Sequence, residues 1–111
     1  MISEETLAKE FIRVISEYYP KVGEVLDGCY VKVVTNYWSR PPRSLRHIVI
    51  YCPEDIISYV ETHKQKLTDV AENMGLVQVV FRNASRLLRD PMSKIKQSDP
   101  RMWLDLQWVS K

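Results

Sequence analysis

The sequence predicts a two-layer α+β domain with elements in the order α-β-β-α-β-α, in which a three-stranded sheet carries its helices on one face. Three observations predict it. An apolar stripe of helical period opens the chain. Two runs dense in Val, Thr, Ile and Tyr follow, separated by a pair of prolines. A long helical face then ends at Gly75 and gives way to an alternating run.

Leu7, Phe11, Val14, Ile15 and Tyr18 fall on one face of a helix over residues 4–19. Ser3 suits its N-cap, and Glu4 and Glu5 suit the positive end of the helix dipole. Pro20 ends it, and Gly23 to Gly28 read as a connection. Cys29 to Trp38 and Leu45 to Cys52 read as antiparallel strands. Pro41 and Pro42 exclude helix between them, which predicts a hairpin with a long, stiff, basic tip over residues 38–44. Pro53 suits a first helical position, and Ile56, Val60, His63, Leu67, Val70, Ala71 and Met74 trace one face of a helix over 53–74. Gly75 stands where a left-handed cap belongs. Leu76 to Arg82 is a third strand, with Val77, Val79 and Phe81 on one face. Ala84 onward is helical to Asp90-Pro91, and a last helix starts at Pro100 after a polar stretch. The division is a single α+β domain over 1–97 and a C-terminal amphipathic helical appendage over 98–111.

At 111 residues, with 45% hydrophobic and 27% charged residues, the chain has the size and composition of one globular domain and not of a disordered segment. No apolar run approaches the roughly 18 residues of a membrane helix. The N-terminus is acidic and opens no apolar stretch of the secretory kind, so a cytoplasmic location is expected. Cys29 and Cys52 lack metal-type spacing and read as reduced, packed thiols near the ends of neighbouring strands.

The net charge of +2 conceals alternation along the chain. Residues 29–52 carry Lys32, Arg40, Arg43 and Arg46 and no acid, and residues 76–111 are again basic, while the two segments between and before them are acidic. Catalytic signatures are missing. The two histidines, His47 and His63, stand in a strand and in a helical stripe, and no nucleophile elbow, zinc motif or glycine-rich phosphate loop occurs. An enzyme is not expected, and neither a cofactor nor a small-molecule substrate is implied.

Three features remain. Arg40, Arg43 and Arg46 lie beside Tyr37 and Trp38, and guanidinium forks suit phosphates while aromatic rings stack on unpaired bases. The plainer alternative is a solvated loop with Trp38 folded back. Arg82, Arg86 and Arg89 form a second basic group, continued by Lys94 and Lys96, which extends a phosphate-contacting strip if the fold brings it to the same side. Met102, Trp103, Leu106 and Trp108 in the tail either dock on the domain itself or anchor a protein partner or a second copy of the chain.

The α-β-β-α-β order resembles that of type II KH-like modules, in particular the DciA-type domain of bacterial replicative-helicase loaders. The likeness runs from Ile12 through Tyr19-Pro20 to Gly23, continues in Leu45-Arg46-His47-Ile48-Val49-Ile50 and the helix after Pro53, and closes at Gly75-Leu76 to Phe81-Arg82. It covers roughly residues 12–83. It implies a role close to DNA or RNA and to a larger protein assembly. The chain has no Gly-x-x-Gly loop, so the phosphate clamp of KH domains is not implied. The expected function is thus a non-enzymatic nucleic-acid-binding module, with a protein-interaction or assembly module as the alternative.

Overall fold

A computed structural model describes residues 3–39, 42–89, 97 and 99–109, with the side chains of residues 38, 39, 42, 43, 108 and 109 left aside. Helix α1 spans Glu4–Tyr18 and α2 spans Pro20–Leu26. Strands β1 (Tyr30–Ser39) and β2 (Pro42–Cys52) follow, then α3 (Ile57–Glu61), α4 (Lys64–Asn73), β3 (Val79–Asn83), α5 (Ala84–Arg89) and α6 (Pro100–Val109). The α+β class and the three-stranded sheet are as expected. The sheet order is β1-β2-β3, with β1 and β2 antiparallel and β2 and β3 parallel. The parallel pair needs a crossover, which α3 and α4 supply.

The main core lies between α1–α4 and one sheet face. Phe11, Ile15, Ile48, Ile50, Val60 and Leu67 are fully buried there. Ser3 caps α1 as expected, its hydroxyl accepting from the Thr6 amide at 3.1 Å. Gly75 takes the one positive φ among the described residues, 82°, where a side chain would be strained.

Pro20 does more than end α1. It opens α2 at the first helical position, where its missing N–H has no intrahelical partner to lose, so residues expected to be a connection are helical. The α1–α2 corner is tight at Gly23, where a Cβ would fall 2.5 Å from Ser16 Oγ and 2.8 Å from Ser16 Cα. Gly23→Ala is therefore expected to destabilise the fold by about 1–3 kcal/mol in urea unfolding, even though alanine favours helix by about 1 kcal/mol. A neutral or stabilising result would mean that the two helices separate freely.

The helix expected over 53–74 is instead two helices. Its first residues form a turn, and the chain breaks at Thr62–His63, where the Thr62 hydroxyl donates to the Tyr59 carbonyl at 2.6 Å. Such back-bonding competes with the helical ladder, and periodicity alone does not reveal it. Tyr18, placed on the buried stripe by spacing, is 71% exposed. Val77, expected on one strand face with Val79 and Phe81, is 47% exposed while Val79 is 5% exposed. Val77 precedes the regular ladder of β3, and its amide is spent on the Arg46 carbonyl at 2.8 Å. Leu76 takes the buried place instead.

Helices α5 and α6 extend the layout by covering part of the second sheet face. Ala84, Met102 and Leu106 form a smaller buried cluster against Tyr30, Tyr51 and Leu88. Tyr30 and Tyr51 are register partners whose ring centroids lie 5.9 Å apart. Burial there pushes both phenols above the ordinary tyrosine range. No helix among the described residues is long and apolar enough to cross a membrane.

Candidate nucleic-acid interface

The hairpin differs from the expected strand–loop–strand. Ladder pairing continues through Trp38↔Arg43 to Ser39↔Pro42, leaving only residues 40 and 41 between the strands. Pro42 is tolerated because it stands at the start of β2, past the reach of β3, so its missing amide costs no ladder bond on that side. Arg43 and Arg46 thus stand on a two-stranded β-arm.

The third strand shows how far that arm projects. The regular β2–β3 pairing covers Ile48 to Cys52, and the irregular lead-in to β3 reaches back only as far as Arg46. The outer four ladder pairs, from Asn36↔Leu45 to Ser39↔Pro42, have no described strand beside them. At roughly 3.3 Å per residue they carry the arm about 13 Å beyond the three-stranded part.

At the base of the arm, Arg46 stands opposite Thr35. It is half-buried, and its Nε is buried without a hydrogen-bond acceptor. An unsatisfied buried donor is costly, and a phosphate oxygen is the kind of acceptor that relieves it. The Thr35 hydroxyl beside it donates to Glu4 Oε2 at 2.8 Å, tying the N-terminus of α1 to the arm's base. Tyr37, further out, is 72% exposed. Trp38 and Arg43 are ladder partners. Arg40 lies outside the described residues, as do Lys94 and Lys96.

The second basic group does not join the first. Because β3 runs parallel to β2, Arg82 stands beside Tyr51, at the end of the sheet away from the arm. Eight residue steps of β2 lead from Arg43 to Tyr51, about 26 Å of strand. Arg82 and Arg86 are exposed there, and Arg89 is paired with Glu54 at 2.9 Å. Among the described residues, Arg46 and the group Arg82, Arg86 and Arg89 therefore do not form one continuous strip. The tail candidates are placed within the chain: Met102 is 7% exposed and Leu106 fully buried, with Trp103 half-buried between them. The side chain of Trp108 lies outside the described set.

The chain matches no family model, no curated protein and no solved structure.

One surface escaped sequence reasoning. Tyr18, Tyr19, Lys21, Tyr59, His63 and Lys66 line a shallow depression of about 430 Å³ where the α1–α2 and α3–α4 corners meet. Lys66 Nζ sits 5.3 Å from the Tyr19 ring centroid, and the Tyr59 and His63 rings meet edge-on at 4.9 Å. The sequence signals were Tyr18-Tyr19-Pro20 and the four-residue step from Tyr59 to His63. Of these residues only Tyr18 and His63 fall on the apolar stripes. No group of three or more His, Cys, Asp or Glu side chains among the described residues is arranged to hold a metal.

Proposed function

We propose that the protein is a non-enzymatic nucleic-acid-binding module that works through the β1–β2 arm. The observation that carries this reading is the arm itself: a projecting ribbon with Arg43, Arg46, Tyr37 and Trp38 in its ladder, within a segment that also contains Arg40 and has no acid between Asp27 and Glu54. A narrow cationic ribbon fits a polyanion's groove or backbone, and its exposed aromatic residue offers a stacking surface. The likeness of the sequence to type II KH-like modules supports the same reading. Arg82, Arg86 and Arg89 belong to a separate surface and contribute to binding only if the nucleic acid spans the sheet.

Fluorescence anisotropy with single-stranded oligonucleotides, at low and at physiological salt, tests the proposal. Each phosphate contact on a single strand adds about 0.7 to the slope of log affinity against log salt. Replacing Arg40, Arg43 and Arg46 together by alanine should then reduce that slope by about 2. Arg89→Ala, which removes a group already held by Glu54, should leave it unchanged. Absence of binding at low salt, or a triple variant with the wild-type slope, would sink the reading.

A second reading, a protein-interaction module, has the tyrosine-lined depression in its favour, since tyrosine is enriched at energetically dominant contact sites. Light scattering distinguishes it where the partner is a second copy of the chain: the assembly reading requires a dimer that Tyr18→Ala and Tyr59→Ala weaken.

A further inference from the structure

Cys29 and Cys52 close the base of the hairpin. The last regular ladder pair is Tyr30↔Tyr51, so one step further out the antiparallel register sets Cys29 opposite Cys52. Directly opposed residues in such a ladder have Cα atoms about 4.5–5.5 Å apart, inside the range of about 4.4–6.8 Å that a disulfide spans. The Cys29 amide donates to the Leu26 carbonyl at 2.9 Å and not across the ladder. Both thiols are free. Cys52 is fully buried in the main core, and Cys29 packs against that core while half-exposed.

The two thiols also differ chemically. The Cys29 thiol donates to the Val25 carbonyl at 3.6 Å and the Cys52 thiol to the Ile50 carbonyl at 3.9 Å. The neighbouring Cys52 side chain lowers the Cys29 pKa against the opposing effect of burial. Cys52 is pushed far up, first by the Cys29 side chain beside it and then by burial. The accessible sulfur is thereby the one favoured as thiolate, and the buried one stays a thiol until it is needed.

We propose that Cys29 and Cys52 form an oxidisable dithiol that reacts with hydroperoxides and closes to a disulfide across the base of the hairpin. The Cys29 thiolate attacks the distal peroxide oxygen, the O–O bond breaks, and an alcohol or water leaves with a proton, giving a sulfenic acid. Cys52 sulfur then attacks the Cys29 sulfur, and its proton departs with the sulfenic hydroxyl as water. In sum, two thiols and one hydroperoxide give one disulfide, one alcohol and one water. The bond ties the joint between α2 and β1 to the joint between β2 and α3, so its closure constrains both helices against the sheet.

The test uses the full chain and hydrogen peroxide. After treatment, unfolding and alkylation, intact mass should show both thiols lost together, with the chain lighter by two hydrogens and monomeric, and dithiothreitol should restore both. The oxidised chain should also melt at a higher temperature than the reduced one. In Cys52→Ser, dimedone should trap a sulfenic acid on Cys29. The wild-type mass measurement decides the matter even if that variant folds poorly. Persistence of two alkylatable thiols, loss of one alone, linkage between chains, or a lower melting temperature on oxidation would each overturn the proposal.

Discussion

Phe11→Ala is expected to lower the unfolding free energy by about 3–5 kcal/mol, the range for emptying a fully buried aromatic site. Phe11 lies at the centre of the buried face of α1 and is 0% exposed. It belongs to the cluster that includes Ile15 on its own helix and Val33, Ile48 and Ile50 on the sheet. No polar group stands by to fill the space, since no buried polar or charged residue was found among the described residues. A domain of this size has roughly 5–15 kcal/mol of stability, so the variant should be partly unfolded at moderate temperature. Urea unfolding measures the loss. Tyr37→Ala is the matching control: its ring is 72% exposed on the arm, and its removal should change stability by no more than about 0.5 kcal/mol. A small loss at Phe11 would mean that α1 does not seal the sheet.

What the sequence made legible follows from what periodicity encodes. The spacing of Leu7, Phe11 and Ile15 reports which side of a helix is wetted, and these residues are buried as expected. Tyr18 continues the same spacing yet is exposed, because α1 ends there and the turn into α2 carries it past the core. Spacing is blind to where a helix stops being covered. Prolines misled for a related reason. Pro41 and Pro42 exclude helix, but they do not exclude a strand whose outer edge needs no amide, so the hairpin was expected to open where the strands in fact remain paired.

The candidate site divides along the same line. That residues 29–52 are basic and acid-free is a property of composition, and it survives any fold. Whether Arg46 and Arg82 share a surface depends on the sense of β3 and on where its ladder begins, and both are long-range facts. The parallel sense sends Arg82 to the far end of the sheet, and so separates two groups that the sequence places on equal terms. The tyrosine-lined depression was hidden for a further reason. It is assembled from two helix corners about forty residues apart, neither of which has a distinctive motif.

Leu106→Ala is expected to cost about 2–5 kcal/mol, which treats the C-terminal helix as part of the core and not as a free anchor. Leu106 is 0% exposed, and with Met102 and Ala84 it covers Tyr30 and Tyr51 on the second face of the sheet. The start of α6 is fixed separately. Asp99 accepts from the Met102 amide at 3.1 Å as an N-cap, and Lys32 on β1 lies 3.3 Å from its other oxygen. That cap and ion pair hold the carboxyl of Asp99 below the usual aspartate range. The helix is thus registered on β1 even without Leu106, so the variant should leave a cavity under a helix still in place and not release the tail. Leu104→Ala, on the 59% exposed side of the same helix, should change stability by no more than about 0.5 kcal/mol. Thermal and urea unfolding of the two variants, with light scattering of each, separate the roles. A stable Leu106→Ala chain whose mass falls to that of a monomer from a larger wild type would place Leu106 at an interface between chains. Loss of stability at unchanged mass places it in the domain's own second core, and the exposed Leu104 then remains as the part of this helix available to a partner.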